Sequence, residues 1–176
     1  MRTGDDDSFR RFAAGHAAML RRSAYLYCGD WHLANDLMQQ ALIKIYRSWS
    51  RVQQQDSLTR FARTVLLRTW LDEKRRPFRR SELTGADVPE LPDAAVGPEA
   101  SAGRVWVREL VHRALLELAP GQRAVLVLRY FDDLSVAETA EIMRCAEGTV
   151  KSQAARGLEN LRAVMERLGA TGKVVL

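Results

Sequence analysis

Leu134-Ser135-Val136-Ala137-Glu138-Thr139-Ala140-Glu141-Ile142-Met143-Arg144-Cys145-Ala146-Glu147-Gly148-Thr149-Val150-Lys151-Ser152-Gln153 reads as two short helices joined by a tight turn. Ser135 is placed to cap the first helix, with Glu138 three residues on as its capping-box partner. Ala137 and Ile142 are expected to point inward, Ala140 is small enough for a close helix crossing, and Val150 packs the second helix onto the first. That leaves Thr149, Lys151, Ser152, Gln153, Ala155 and Arg156 toward solvent on the second helix. Lys, Arg and Gln are the side chains that reach phosphates and base edges. A unit of this kind lays one helix in the DNA major groove and braces it with the other.

The composition agrees with a nucleic-acid partner without requiring one. The 176 residues carry a net charge of +5 and a pI near 9.6, which favours polyanions. Arg, Ala and Leu dominate, all good helix formers, and strand-like alternation is scarce. Cys28 and Cys145 stand far apart with no second ligand at metal spacing, so isolated thiols in a reducing compartment are expected. The acidic, polar stretch 1–8 does not read as a signal peptide. No apolar run approaches the ~20 residues that span a bilayer. A cytoplasmic chain with no integral membrane segment is the expectation. No cofactor or metal site is expected either.

Working outward, Pro77, Pro89, Pro92 and Pro98 fall in one stretch together with Gly85 and Gly97. Residues 81–100 hold five acidic side chains and no basic one. Such a segment cannot bury enough surface to offset chain ordering. It reads as a flexible acidic linker over 78–100, between small helical domains at 8–77 and 101–170, so the fold class is all-α. In the first domain Phe9, Phe12, Ala13, His16, Met19 and Leu20 mark an amphipathic helix that breaks at Gly29. Asp30 is a plausible N-cap for a second helix, striped by Leu33, Leu37, Leu42, Ile45 and Tyr46. A polar loop over 50–56 precedes a third helix that starts near Ser57 and closes on Lys74, Arg75 and Arg76. The second domain opens with a helix through Val105, Leu110 and Leu118. Pro120 starts the next, which runs to Tyr130. The last helix runs from near Glu147 to about Leu168. The linker is expected to let the two domains take many relative orientations.

The run Leu118-Ala119-Pro120-Gly121-Gln122-Arg123-Ala124-Val125-Leu126-Val127-Leu128-Arg129-Tyr130-Phe131-Asp132-Asp133-Leu134-Ser135, with Glu138-Thr139-Ala140-Glu141-Ile142 and Gly148-Thr149-Val150-Lys151-Ser152, resembles region four of bacterial sigma factors. More narrowly it resembles the extracytoplasmic-function group and its SigE-like actinobacterial members. Gly29-Asp30-Trp31 and Ala34-Asn35-Asp36-Leu37-Met38-Gln39-Gln40-Ala41-Leu42 are similar to region two of the same family. The stretch from Arg60 through Phe61 and Arg63 to Arg76 is similar to its promoter-melting helix. The resemblance implies an alternative sigma factor: a specificity subunit, without a catalytic site of its own, that binds core RNA polymerase and directs initiation at −10 and −35 elements.

Roles follow by position. Lys151, Ser152, Ala155 and Arg156 would face −35 bases, with Gln153 beside them and Thr149 and Arg144 near phosphates, while the domain rests on the polymerase flap. Asp36, Leu37 and Gln39 would dock on the clamp, although Asn35 and Gln40 stand where acidic residues are usual. Gln53, Gln54 and Gln55 would meet a flipped −10 base. Arg60, Phe61, Arg63, Lys74, Arg75 and Arg76 would line the melted strand. An anti-sigma partner is a further implication.

Two other classes compete. A dimeric helix-turn-helix regulator would need a ligand pocket with convergent polar groups, and the first domain shows no such constellation. An enzyme would need a nucleophile–base pair, a phosphate loop or metal spacing, whereas His16, His32 and His112 are scattered.

Overall fold

The computed structural model describes residues 3–54, 57–75 and 98–169. Gln55, Arg76 and residues 78–97 of the linker expected over 78–100 lie outside the described residues.

Among the described residues all regular secondary structure is helical. The first helix, α1 (Thr3–Cys28), begins earlier than its apolar stripe suggests. Asp5 and Asp6 fall in its first turn, where carboxylates suit the positive end of the helix dipole. It stops at Gly29, whose φ of +80° suits a residue without Cβ. Asp30 then caps α2 (Trp31–Arg47), its Oδ1 accepting from Leu33 N–H at 2.7 Å. The expected polar loop is partly helical: Trp49–Val52 forms a single turn, α3, because Trp49 and Val52 are buried and pull the backbone down. Helix α4 (Leu58–Arg75) completes the first bundle. Leu20, Ala24, Tyr27, Leu37, Ile45, Leu66, Leu67 and Trp70 fill its centre.

Helix α5 spans Pro98–Glu117, so the last three residues assigned to the linker are helical. Proline fits a first helical position, since its missing N–H is not needed there. Helix α6 (Pro120–Leu126) gives way to a π turn at Val127–Phe131, where a continuous α-helix to Tyr130 was expected. The wider turn closes with Asp132 N–H donating to Val127 O at 2.9 Å. Helices α7 (Val136–Met143) and α8 (Glu147–Arg167) form the two-helix unit. The Ser135–Glu138 capping box is present in both directions, at 3.1 and 2.8 Å. Val125, Ala140 and Val150 form a small core of their own. The inward residues of α7 are Thr139, Ala140 and Ile142, while Ala137 is exposed, contrary to the sequence reading.

The two domains also pack against each other through buried residues. Ala124, Val127, Leu128, Leu134 and Ile142 of the second half cluster with Leu20, Leu67 and Trp70 of the first. A second cluster around Leu110, Leu115, Leu126 and Leu161 packs against Leu26 of α1. The stretch Ser23-Ala24-Tyr25-Leu26-Tyr27-Cys28 carries no charged residue on any face, and a helix apolar all round is covered all round.

Candidate nucleic-acid interface

Two cationic surfaces emerge, and they differ in availability. On α8 the buried stripe is Val150, Gly157 and Leu161. The opposite side carries Thr149, Lys151, Ser152, Ala155 and Arg156, all exposed, with Gln153 half-buried. Ser152 Oγ donates to Thr149 O at 3.0 Å, which orients its hydroxyl along the helix. Ala146 occupies the N-cap without a side-chain bond, leaving first-turn N–H groups toward solvent. Arg144 ends α7 in the left-handed region, φ 54°, with its side chain exposed. The structure therefore collects Arg144, Thr149, Lys151, Ser152, Ala155 and Arg156 at one end of the second domain.

The other surface belongs to α4. Arg60 and Arg63 share a stripe with Leu67, which is buried. That stripe faces α7 and the π turn. Arg60 pairs with Glu141 of α7. Arg63 Nε stands 3.4 Å from Asp132 Oδ2, with side chains only 15% and 7% exposed. Asp132 Oδ1 also accepts from Ser23 Oγ at 3.0 Å. Burial raises the Asp132 carboxyl above its ordinary range, and Arg63, Ser23 and Arg22 pull the other way. Further along, Lys74 lies over the Trp70 ring at 5.5 Å, and Arg75 is exposed in the last turn. Phe61 is half-buried against the core, and Trp70 is a core residue at 1% exposure.

The remaining candidates divide. Gln53 spends its amide within the first domain: Nε2 donates to Asp5 Oδ1 at 2.9 Å and Oε1 accepts from Ser8 at 3.3 Å. Gln54 is exposed. On α2, Asp36 and Gln39 are exposed, but Leu37 is fully buried and belongs to the core. It cannot offer its side chain to a partner; it anchors the helix that presents its neighbours. Ile43, 52% exposed, lies four residues beyond Gln39 on the same face, and sequence reading had passed over it.

Arg123 is the other residue the sequence concealed. Its guanidinium is buried and donates to Tyr27 O at 2.6 Å, to Leu118 O at 3.2 Å and to Leu116 O. Burial lowers its pKa to about 10, so it stays charged at neutral pH. It ties the end of α1 to the α5–α6 corner. Beside it, Tyr25 stacks between Trp31 and His112, at 3.9 and 4.3 Å. His112 Nε2 donates to Tyr25 O at 3.4 Å. Burial also pushes the Cys28 thiol up to about 12, which keeps it protonated and inert. No group of His, Cys, Asp and Glu among the described residues could hold a metal, and no helix there is long and apolar enough to cross a membrane.

Residues 12–80 match the family Sigma-70 region 2, and residues 108–161 match Sigma-70, region 4. The RNA polymerase sigma-E factor of Streptomyces avermitilis is 32% identical over 166 residues, covering 94% of this chain and 89% of that protein. The chain belongs to the extracytoplasmic-function sigma factors. The sigma factor SigL of Mycobacterium tuberculosis is likewise 32% identical, over 160 residues that span 89% of this chain and 88% of that one. A solved sigma factor, RpoE of Bartonella quintana in complex with the anti-sigma factor NepR, shares the fold at a TM-score of 0.70 and 22% identity. That match covers 90% of this chain and 96% of the other. This sigma factor is a promoter-recognising initiation subunit for RNA polymerase.

Proposed function

We infer that the sigma factor divides its work between the two surfaces. The α8 face of Lys151, Ser152, Gln153, Ala155 and Arg156 reads the −35 element, with Arg144 and Thr149 on flanking phosphates. The α4 face of Arg60, Phe61, Arg63, Lys74, Arg75 and Arg76 follows the melted −10 strand, and Gln54 and Gln55 meet its flipped base. Asp36, Gln39 and Ile43 dock on the polymerase clamp, while the second domain rests on the flap. The boundaries 8–77, 78–100 and 101–170 mark the working units.

The observation that carries this reading is the α8 face. A helix braced by Val150 against Ala140 exposes small, polar and cationic side chains and no large apolar one on its outer side. Small residues let the backbone approach a groove, and Arg156 extends from it. Sigma factors are known as non-catalytic subunits of RNA polymerase, and we assign this one no catalytic centre. Its place of work is the cytoplasm, where the polymerase is. An anti-sigma protein is the natural regulator, since the RpoE of Bartonella quintana was solved bound to one.

Run-off transcription with core polymerase tests the assignment. Arg156→Ala should lower −35-dependent initiation and discriminate less between promoter sequences, by about 1–3 kcal/mol at the base pair it contacts. The D36A/Q39A variant should weaken polymerase binding on every promoter alike. Normal initiation by both variants would refute the residue assignments while leaving the family intact.

A further inference from the structure

Gln54 and Gln55, proposed above for the flipped −10 base, fall in the short connection between α3 and α4. A reading side chain is only as precise as the backbone that carries it. Both ends of this connection are tied to α1. Asp5, Ser8, Phe9, Phe12 and His16 follow three- and four-residue steps, so they form one stripe along the first half of that helix.

At the α3 end, Ser8 Oγ accepts from Trp49 Nε1–H at 2.8 Å. Its own proton is shared between Asp5 O at 3.0 Å and Gln53 Oε1 at 3.3 Å. Gln53 Nε2 donates in turn to Asp5 Oδ1 at 2.9 Å, so the amide next to Gln54 is fixed at both its atoms. Phe9 and Phe12 close on the buried Trp49 ring, with centroids 5.3 and 5.0 Å away. At the α4 end, Ser57 Oγ accepts from Arg60 N–H at 3.2 Å, in the manner of a helix cap. His16 Nδ1 donates to Phe12 O at 2.9 Å, which leaves Nε2 of the neutral ring to accept from Thr59 Oγ1–H, also at 2.9 Å. Gln54, by contrast, is exposed. One glutamine is tied down and its neighbour is left free, the arrangement of a support beside a reader.

We propose that the first half of α1 is a brace for −10 recognition, in which Asp5 and Ser8 are positioning residues that act on Gln54 and Gln55 through Gln53 and Trp49. This rests on the assignment of Gln54 and Gln55 to the flipped base, and it extends the −10 apparatus to a residue 48 positions away in sequence. A flipped base is recovered through edge hydrogen bonds and stacking. Such contacts are short-ranged, and a misplacement of about 1 Å forfeits much of their value. Loosening the brace lets the readers meet several bases equally poorly. Specificity falls, while contacts elsewhere on the promoter stay.

The brace is tested by holoenzyme initiation on promoters that differ only at the flipped −10 position, read as the ratio of rates for the fastest base and its substitutes. Asp5→Ala should lower that ratio about fivefold, near the low end for one base contact. Gln53→Met, similar in length but unable to form either bond, should do the same. The double variant should lose no more than Gln53→Met alone, because both changes break one interaction. Asp5→Asn keeps an acceptor for Gln53 Nε2–H and should restore the ratio. Tyr46→Phe removes the bond from Tyr46 Oη to Asp6 Oδ1, which joins α1 to α2 away from the connection, and should leave the ratio unchanged. Core polymerase binding and −35 protection should stay at parental values throughout. A merely structural role would instead slow initiation by one factor on every promoter, with the ratio unmoved. That result for Asp5→Ala and Gln53→Met overturns the brace. Gln54→Ala with Gln55→Ala separates the two readings. A lost ratio there, with parental ratios in Asp5→Ala and Gln53→Met, defeats the brace alone, whereas a parental ratio there defeats the base assignment and the brace together.

Discussion

The α8 face and the α4 face have similar chemistry and opposite circumstances. Both present arginine or lysine beside small polar residues on a helix whose other side is core. On α8 those side chains meet solvent. On α4, Arg60 and Arg63 meet Glu141 and Asp132 of another domain, while Arg75 is exposed. Cationic composition alone therefore does not tell whether a surface is available. Availability is set by what the rest of the chain puts in front of it.

If the comparison is right, disruption at the seam between the domains should change stability strongly, while changes on the open face should barely register in it. The largest effect is expected at Arg123. Replacing it with Met removes the donor for three backbone carbonyls in a buried corner. Leaving such acceptors unpaired should cost about 3 kcal/mol or more, read as a lower urea midpoint at unchanged slope. By contrast, Arg156→Ala should move that midpoint by less than about 0.5 kcal/mol. Equal losses at the two positions would erase the distinction.

A second test lies at Gly29, where α1 meets α5. A Cβ there would stand 2.5 Å from Leu116 Cδ1, on a backbone with φ of +80°. Gly29→Ala should destabilise by about 1–3 kcal/mol, the strain of a left-handed non-glycine residue plus the shift Leu116 must make. Leu116→Ala in the same chain should restore part of the loss, because it relieves the clash but not the backbone strain.

The smallest effect is one of pH. Burial lowers His112 from its ordinary 6.5, Arg123 adds to that, and the bond to Tyr25 O and the charge of Glu109 oppose it. The packed state therefore favours the neutral ring, and an opened or unfolded state takes up the proton first. The contribution of His112 is complete above about pH 6.5 and weakens as pH falls below it. Asp132, raised by burial, acts in the opposite sense: closure gains as pH falls through the carboxylate range. Comparing His112→Asn with the parent between pH 7.5 and 5.5 isolates the histidine. The variant should lose less stability over that range, and parallel curves would remove His112 from the seam.

Much of this architecture is legible in the sequence because it is local. The Asp30 cap, Pro120 at a helix start, the Ser135–Glu138 box and the break at Gly29 depend on residues a few positions apart. What escaped depends on the other domain. Arg123 lies within an apolar run as if it were a surface charge, and nothing near it in sequence tells that Tyr27 O lies within its reach. Asp132 follows the helix that was expected to end at Tyr130, yet its side chain is a buried member of a three-element contact. A signal was available in the uncharged stretch 23–28, which needed cover on every side. Leu37 shows the reverse error: a residue matched to a docking motif by position proved to be core, since motif spacing does not distinguish the presenting side chain from its anchor.

The division of labour is tested most directly by probing one holoenzyme–promoter complex for both contacts at once: hydroxyl-radical protection over the −35 element and permanganate reactivity of unpaired thymines near −10. The R60A/R63A variant should retain the −35 protection and lose the reactive thymines, while Arg156→Ala should lose the protection first. Thymines that remain reactive in R60A/R63A, or −35 protection that survives Arg156→Ala on a promoter dependent on that element, would contradict the account.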